Sequence, residues 1–389
     1  MAPGPLEGHE VVVVGAGPVG LCFAVLLAQA GVDVVVLEAR ARRTRHTRAI
    51  GIHPPGLRVL GRAGVADTLL AEGVRIVEGV ARSRASGRTE DVARLCFDPP
   101  VLAVAQWRTE EALAARLEQL APGSLRRGVR AARAERAEGG AVVRWEGAEG
   151  GGEFGRWVVA ADGARSPLRS SLGVPVRERA LPDAYLMGDF TDTTGDGALA
   201  VLRLESEGIV ESFPLPGGVR RWVAHLDEPA VDPSARDLAQ LIAERTGARV
   251  DPASCTMLSA FSVTERIAAR MRVGRVVLAG DAAHEVSPIG GQGMTLGWLD
   301  AEAFVPLIAA DVRRGPSGGP DPAWPEVWAV AERDRLAAAR LAAGQARLNM
   351  ALGRALPAPV MAARNAAFRA LYRVPGLGAR TAARFTMQA

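Results

Sequence analysis

The chain has 389 residues, 48% of them hydrophobic, so a large folded core is expected and global disorder is excluded. All 47 of its basic residues are arginine, which excludes a mechanism that depends on a lysine Schiff base. Nucleic-acid binding is not expected, because aromatic residues make up only 5% of the chain and are not interleaved with the arginines.

The first predicted element is a strand–helix–strand unit. The strand Val11–Val14 runs into a glycine pattern, a helix is expected over Leu21–Ala30, and a second strand covers Val34–Leu37. Glu38 follows directly. A glycine-rich turn between a strand and a helix, with an acidic residue at this distance, predicts a dinucleotide-binding unit.

The residues of this unit have separate expected roles. Gly15 allows the tight turn, Gly17 lets the backbone approach the pyrophosphate, and Gly20 allows close packing of the helix on the strand. Glu38 is expected to accept hydrogen bonds from ribose hydroxyls. The unit by itself does not separate NAD from FAD. The adjoining residues that are also expected at the cofactor are Pro18, Ala39 and Arg40.

Helices and strands alternate in the middle of the predicted structure. A helix is expected from Pro54 to about Arg62, and another over Thr109–Leu120 with Thr109 as its N-cap. Strands are expected over residues 74–105 and 127–160.

Residues 181–261 have a different pattern, typical of a second domain with a mainly antiparallel sheet. It includes a hairpin around the turn Pro216–Gly218 and a short helix over Asp237–Thr246. After a Gly/Pro linker at residues 315–322, the chain is expected to be helical up to about Tyr372.

Two later motifs favour FAD over NAD. Asp162-Gly163 and Gly280-Asp281 each follow a predicted strand, and the Asp281 carboxylate is placed to hold the ribityl hydroxyls of FAD. The next loop leads into a helix expected at about Met294, whose N-terminus would stabilise negative charge on a reduced flavin. The residues expected around that flavin are Pro288, Gly290, Gly291, Gly293 and Met294.

With these three segments in this order, the sequence resembles the FAD-dependent aromatic hydroxylases, the para-hydroxybenzoate hydroxylase-like group A flavoprotein monooxygenases. The resemblance implies an α/β fold. A Rossmann-like FAD-binding domain of the GR2 type is interlaced with a mainly antiparallel β-sheet substrate domain, and C-terminal helices follow.

The implied domain division is discontinuous. Residues 1–78, 101–178 and 262–314 form the FAD-binding domain, residues 79–100 and 179–261 the substrate-binding domain, and residues 315–389 the C-terminal helical region.

The resemblance also assigns roles to single residues. Arg48 and Gln106 are expected to contact FAD, and Asp162-Gly163 is linked to both FAD and NAD(P)H. Pro288 is expected beside the reacting part of the flavin. Thr295 stands where this family often has asparagine, so its contact to the flavin is expected through the backbone.

The activity that the resemblance implies is a monooxygenase reaction. NAD(P)H, a transient co-substrate, reduces the flavin; oxygen then forms a C4a-hydroperoxide that hydroxylates a phenolic, quinol or polyketide-type ring. Antibiotic biosynthesis or other secondary metabolism would use such a reaction. The alternative is an FAD-dependent reductase or dehydrogenase of the same fold that acts on a prenyl or polyketide substrate.

Residues for catalysis and substrate binding are harder to assign. His46 and His53 flank the Arg48 segment, and either could deprotonate a phenol. His225 is a further candidate for the substrate site. Phe213 and Trp222 could line an apolar substrate pocket or could form the core of the hairpin. We expect no metal site.

The predicted partners are an aromatic small molecule and molecular oxygen. From Arg335 to Ala389 there are nine arginines and no acidic residue, so peripheral membrane contact is one hypothesis and a solvated helix face is the other. Three cysteines without metal-ligand spacing are typical of a reducing cytoplasm. A monomer and a homodimer both remain open.

Overall fold

Two β-sheets make up most of the fold in the computed structural model, which describes residues 8–44, 49–85, 88–145, 150–315 and 324–388. The strands are β1 Gly8–Val14, β2 Val34–Glu38, β3 Gly51–Ile52, β4 Val74–Ala85, β5 Arg88–Ala103, β6 Leu125–Arg127, β7 Ala131–Ala137, β8 Gly140–Trp145, β9 Gly151–Ala160, β10 Val176–Thr191, β11 Ala200–Arg203, β12 Val210–Leu215, β13 Val219–Leu226, β14 Met257–Ala268, β15 Arg272–Val273, β16 Val276–Leu278 and β17 His284–Glu285.

Helices cover both sheets and form the C-terminal region. They are α1 Pro18–Gln29, α2 Pro54–Arg62, α3 Ala66–Glu72, α4 Gln106–Leu120, α5 Pro167–Ser171, α6 Ala235–Thr246, α7 Gly293–Arg314, α8 Trp324–Gly353, α9 Ala358–Leu371 and α10 Leu377–Phe385. Within the described residues, none of them combines the length and apolarity needed to cross a bilayer.

The first sheet is the predicted Rossmann-like sheet. Its strand order is β15-β16-β9-β1-β2-β6, and β16, β9, β1, β2 and β6 run parallel. Val11 on β1 lies opposite Val34 on β2 and Trp157 on β9. Parallel sheets are covered on both faces, so their strands are continuously apolar, and this explains the valine runs. β7 and β8 form an antiparallel extension beside β9.

The second sheet confirms the expected antiparallel substrate-domain sheet. Its order is β17-β14-β10-β13-β12-β11-β4-β5-β3, and among its described strands only the β11–β4 pair is parallel. The hairpin β12–β13 turns at Pro216–Gly218, as the sequence predicts. Strands of this sheet extend beyond the expected substrate-domain segments, because β4 begins at Val74, β5 ends at Ala103 and β14 ends at Ala268.

Helix boundaries differ from expectation at several places: α1 begins at Pro18 instead of Leu21, and α6 begins at Ala235 instead of Asp237. Helix α4 begins at Gln106, with Ala105 as N-cap, so the prediction of Thr109 as N-cap is wrong. The backbone N–H of Gln106 donates to Ala49 O at 3.1 Å, which starts the helix three residues earlier. The helical C-terminus also continues past Tyr372 into α10.

The largest core surrounds the first sheet and includes α8. Trp328 on α8 stacks on Trp157 of β9, with ring centroids 4.8 Å apart, and on Phe304 of α7 at 5.6 Å. These three rings fix α8 to α7 and to the first sheet, since buried aromatic pairs contribute stabilisation beyond the burial of their area.

Candidate functional site

One cavity of about 1590 Å³ extends from the first sheet to the second. It is larger than the ~300–1,000 Å³ of ordinary small-molecule pockets, so it has room for more than one small ligand. At the first sheet, the cavity lies where the parallel strands β1, β9 and β16 end; Gly15, Ala161 and Ala279 follow these strands and line it. Ligands of open parallel sheets bind at this edge.

The loop from β1 to α1 brings two glycines into close packing. Gly15 has a φ of +101°, and a Cβ built on it would lie 2.3 Å from Ala161 O. A Cβ on Gly20 would lie 2.0 Å from Gly15 O. Gly17 is different, because a Cβ there would meet no atom within 4 Å although Gly17 lines the cavity. The space beside Gly17 is therefore available to a ligand.

Glu38 is held rigidly at the end of β2. Its carboxylate accepts hydrogen bonds from Ala16 N at 2.7 Å, Arg40 N at 2.8 Å and Arg40 Nε at 2.9 Å. Burial alone would raise the pKa of Glu38, but these hydrogen bonds lower it below its usual range. An ionised, fixed carboxylate thus lines the cavity here.

The Asp162-Gly163 segment follows β9 and also lines the cavity. Asp162 Oδ2 accepts from Leu168 N at 3.2 Å, while Oδ1 is buried without a partner in the described part of the chain. Burial raises the pKa of Asp162, against an opposing hydrogen bond from Ser166. Gly163 has a φ of +87°, and a Cβ there would meet no atom within 4 Å.

Asp281 projects into the cavity just after β16. Its side chain is exposed to the cavity, yet protein surrounds the position so closely that burial raises the pKa of Asp281 to about 6. The nearby charge of Glu285 adds to this increase, and His284 opposes it.

A buried carboxylate on α7, Asp300, fixes this loop. Asp300 accepts from Gly280 N at 3.0 Å and pairs with His284 Nε2 at 2.7 Å and Arg335 Nε at 2.8 Å. The sequence analysis missed Asp300, because a single aspartate inside a helix carries no motif.

His53 holds the loop that precedes α7. Its Nε2 lies 2.8 Å from Gly290 O, and a carbonyl can only accept, so Nε2 carries the proton and donates it. Burial lowers the pKa of His53 to about 4, so the ring is neutral near pH 7. The other ring nitrogen, Nδ1, is buried without a partner among the described residues. Beyond this loop α7 begins at Gly293, next to the expected Met294.

The other half of the cavity lies against one face of the second sheet. Because side chains alternate along a strand, residues of β10, β12 and β13 divide between two faces. The residues of these three strands that line the cavity are Tyr185, Met187, Glu211, Phe213, Arg221 and Val223. The opposite face, with Leu186 and Trp222, packs in a separate core against α6.

The C-terminal helices close this half of the cavity. Gln345 and Asn349 on α8 and Tyr372 after α9 line it. On α10, Phe385 stacks on Phe97 of β5, with ring centroids 5.8 Å apart, and its carbonyl accepts from Gln292 Nε2 at 3.1 Å. The last helix therefore contacts both the second sheet and the loop before α7.

A family model described as FAD binding domain matches residues 9–333. The chain belongs to this family. FAD is accordingly its cofactor, and the match confirms the resemblance to the FAD-dependent aromatic hydroxylases.

Named relatives of this family support the same conclusion. Rifampicin monooxygenase of Streptomyces venezuelae is 34% identical over 313 residues, 78% of this chain and 64% of that protein. Para-nitrophenol 4-monooxygenase of Pseudomonas sp. strain WBC-3 is 30% identical over 344 residues, 79% of each chain. The crystal structure of p-nitrophenol 4-monooxygenase from Pseudomonas putida DLL-E4 has a TM-score of 0.86 at 25% identity and covers 99% of each chain. The chain spans less than two thirds of the length of rifampicin monooxygenase and of two tetracycline-pathway monooxygenases.

The cavity residues fit the FAD of this family. The open space at Gly17 and at the first turn of α1, which has no side-chain cap, suits a pyrophosphate near free backbone N–H groups. The fixed carboxylate of Glu38 and the cavity-facing carboxylate of Asp281 supply acceptors for hydroxyl groups. Oδ1 of Asp162 is a further buried acceptor without a partner in the described residues.

The structure brings most of the predicted site residues to the one cavity. Those that line it are Gly15, Gly17, Pro18, Glu38, Ala39, Arg40, His53, Gln106, Asp162, Gly163, Phe213, Asp281, Pro288, Gly290, Gly291, Gly293 and Met294. Gly20 lies in the first turn of α1 and Gly280 in the turn after β16, and neither lines the cavity. Thr295 is fully buried where α7 packs on Gly56, so its side chain does not reach the cavity. His46 and Arg48 lie outside the described residues.

Two predicted substrate residues do not reach the cavity. Trp222 is fully buried in the core between the second sheet and α6, because it faces the opposite side of β13 from Arg221 and Val223. His225 is buried too; its Nε2 lies 3.2 Å from Asp183 Oδ1, and its ring supports Tyr185 edge-on, with ring centroids 5.3 Å apart.

Proposed function

We propose that this protein is an FAD- and NAD(P)H-dependent monooxygenase that hydroxylates an aromatic small molecule of phenolic, quinol or polyketide type. One observation carries the proposal: the FAD end and a largely apolar chamber on the second sheet are parts of a single cavity. An aromatic ring in that chamber would lie in the same cavity as the cofactor. Relatives named as rifampicin and para-nitrophenol monooxygenases support this reaction class.

FAD contacts are proposed along the edge of the first sheet. Gly15, Gly17 and Pro18 would hold the pyrophosphate at the start of α1, helped by the positive end of the helix dipole. Glu38, with Ala39, Arg40 and Gln106, would bind the adenosine end. Asp281 would hold ribityl hydroxyls.

In this proposal the flavin ring would lie beside Pro288 and the start of α7. Gly290, Gly291, Gly293 and Met294 line the cavity there, and the N-terminus of α7 would stabilise negative charge on the ring. FAD, when bound, supplies the redox chemistry that NAD(P)H and oxygen require. The chain supplies orientation and excludes water, which is the usual division of labour between a cofactor and its protein.

Neutral His53 has a positioning role in this proposal. Its bond to Gly290 O fixes the loop beside Pro288, and its low pKa leaves little protonated form near pH 7. The proposed domain division follows the sequence segments given above, and within the C-terminal region α8 and α10 line the substrate chamber.

The test combines cofactor oxidation with oxygen uptake. Purified holoprotein is given NADH or NADPH with a panel of phenols, quinols and aromatic polyketides, and the product is examined for oxygen from isotopically labelled O₂. Stimulated oxidation with labelled product supports the proposal. NAD(P)H oxidation with a reduced product and no oxygen uptake would instead support the reductase alternative.

The role of Asp281 has its own test. Asp281→Ala removes the acceptor proposed for the ribityl hydroxyls, and we expect weaker FAD retention during gel filtration, with an increase of about tenfold or more in the dissociation constant. Asp334→Ala on exposed α8 is the control, and it should retain FAD like the wild type. Full flavin occupancy in Asp281→Ala would contradict the assignment.

A cytoplasmic location and peripheral membrane contact are also proposals. Cys22, Cys96 and Cys255 are free thiols, which supports a reducing compartment.

Leu341, Val360 and Val374 on the arginine-rich helical region are exposed and apolar, which supports contact with a membrane surface. Sedimentation with anionic vesicles tests the contact, and sedimentation velocity separates a monomer from a homodimer.

A further inference from the structure

Glu211 is a buried carboxylate in the floor of the substrate chamber. It lies on β12 opposite Val223, its side chain faces the cavity, and only 6% of its surface is exposed. Met187 lies beyond Val223 on β10 in the same row across the sheet. Among the described residues, no hydrogen bond or ion pair to Glu211 is formed. A charged group buried without a partner lowers the free energy of unfolding.

Tyr185 is a second polar group without a partner in this chamber. It lies on β10 one row from Met187, it is 1% exposed, and its hydroxyl has no hydrogen-bond partner in the described residues. Phe261 stacks on its ring, with centroids 5.5 Å apart, and His225 packs edge-on. Burial raises the pKa of Tyr185, and the nearby charge of Glu211 raises it further.

The arginine on the strand beside Glu211 is already paired. Arg221 on β13 binds Asp189 with two bonds of 2.6 and 2.7 Å. Across the chamber, α8 contributes the uncharged Gln345 and Asn349, whereas the C-terminal segment contributes Tyr372, Arg380 and Arg384. Burial raises the pKa of Glu211 to about 7, so both protonation states are populated near neutral pH.

We propose that Glu211 and Tyr185 together bind a hydroxyl group on the ring of the aromatic substrate, and that the Glu211 carboxylate accepts the proton of that hydroxyl. The substrate O–H bond breaks, an O–H bond forms on Glu211, and the negative charge passes to the substrate oxygen. The Tyr185 hydroxyl then donates a hydrogen bond to this oxygen. The proton returns to the product oxygen on release. A phenolate ring is richer in electrons than a phenol and is easier to oxidise.

This inference rests on the proposed function only for the presence of an aromatic substrate, so its first test needs no turnover. Binding of each phenol in the panel and of its O-methyl ether to oxidised holoprotein is followed through the flavin absorbance. We expect the wild type to prefer the tightest-binding phenol over its ether by about ten- to a hundredfold. Tyr185→Phe and Glu211→Leu should each lose most of that preference.

The second test is the pH dependence of kcat/KM for the phenol that is turned over. The wild type should lose activity as the pH falls through about 7, because Glu211 must be ionised to accept a proton. Glu211→Gln should lower kcat/KM by about a hundredfold or more and remove this acidic limb. Glu211→Asp should restore the limb.

Glu205→Gln is the matched control. Glu205 is also 6% exposed with a pKa raised by burial, but its carboxylate accepts from Arg84 N at 3.2 Å and does not line the cavity. The Glu205→Gln variant should keep both the phenol preference and the pH profile of the wild type. If Glu211→Gln kept its acidic limb, or if no phenol in the panel bound better than its ether, the inference would be overturned. If the protein preferred phenols over their ethers but took up no oxygen, this inference would stand and the monooxygenase proposal would be rejected.

Discussion

At the scale of single residues, the site contains titratable groups whose surroundings oppose their charged forms. Glu211 and Asp281 have raised pKa values because they are buried, and His53 has a lowered one for the same reason. Structural carboxylates behave differently: Asp300, although buried, has partners that lower its pKa. Titratable groups whose pKa values are shifted in this way by burial are typical of functional sites.

Glu211 should destabilise the folded protein at alkaline pH. A folded pKa of about 7 against 4.5 means that stability is fully present below pH 4.5 and is lost as the pH rises through 7. Relative to the wild type, Glu211→Gln should therefore gain roughly 3 kcal/mol in free energy of unfolding at pH 8 and little at pH 4.5. Urea unfolding of the holoprotein at both pH values measures this, and a variant less stable than the wild type at pH 8 would show a structural role.

His53 should give the opposite slope. Its folded pKa of about 4 lies below the usual 6.5, so stability is present above pH 6.5 and is lost as the pH falls towards 4. Over this range, the contribution of His53 to the free energy of unfolding should fall by up to roughly 3 kcal/mol. His53→Gln should lack that slope. Because Glu211 acts in the reverse direction over nearly the same pH range, we expect the two contributions to be visible only by comparing single variants.

At the scale of elements, two glycines at the start of α1 have different roles, one in packing and one at the cofactor site. A Cβ on Gly20 would lie 2.0 Å from Gly15 O, whereas one on Gly17 would meet no protein atom within 4 Å.

The pattern of the sequence predicted the turn and the FAD site, since both depend on local spacing. It could not predict how the C-terminal helices close the chamber, because the contacts of Phe385 with Phe97 and Gln292 join distant segments. Nor did it indicate Glu211, a lone acidic residue whose importance depends on which face of β12 meets the cavity.

The two glycines provide a matched pair of variants. Gly17→Ala should retain a melting temperature within a few degrees of the wild-type apoprotein, but should bind FAD about tenfold or more weakly. Gly20→Ala should lower the melting temperature strongly, because the loop and α1 must separate to admit the methyl group. Thermal melts and fluorescence titration with FAD distinguish the two effects. Equal losses of stability in both variants would contradict the separate roles.

Asp300 joins α7, α8 and the Asp281 loop in one buried network. Asp300→Asn leaves His284 and Arg335 without their shared carboxylate, so we expect a loss of about 3–5 kcal/mol in free energy of unfolding. Asp334→Asn, on the exposed surface of α8, should change stability by no more than about 0.5 kcal/mol. Chemical denaturation of both variants measures the difference, and an unchanged Asp300→Asn would show that the network is not needed.

At the scale of the whole molecule, the chain passes repeatedly between its two sheets. The first sheet takes β1 and β2, then β6 to β9, then β15 and β16, and the second sheet takes the strands between them and β17. Each half of the cavity therefore depends on segments from both early and late parts of the chain. The sequence predicted this interlacing only through the family resemblance, because periodicity does not show which strands pair.

A fragment tests this dependence. Residues 8–145 contain the glycine loop and Glu38 but lack β9, the strand beside β1. We expect this fragment to bind no FAD, since Gly15 packs on Ala161 in the intact protein. Quenching of flavin fluorescence compares FAD binding by the fragment with FAD binding by the full chain. Tight FAD binding by the fragment would show that the first βαβ unit suffices.

The position of β9 also has a consequence for synthesis in the cell. The valine-rich β1 is complete at Val14, but its neighbour β9 begins only at Gly151. A ribosome that adds about 5–20 residues per second takes roughly seven to thirty seconds to cover that distance. During this interval one edge of an apolar strand is unpaired, so nascent chains should be sensitive to chaperone supply and to slow codons in this stretch, whatever the stability of the finished protein.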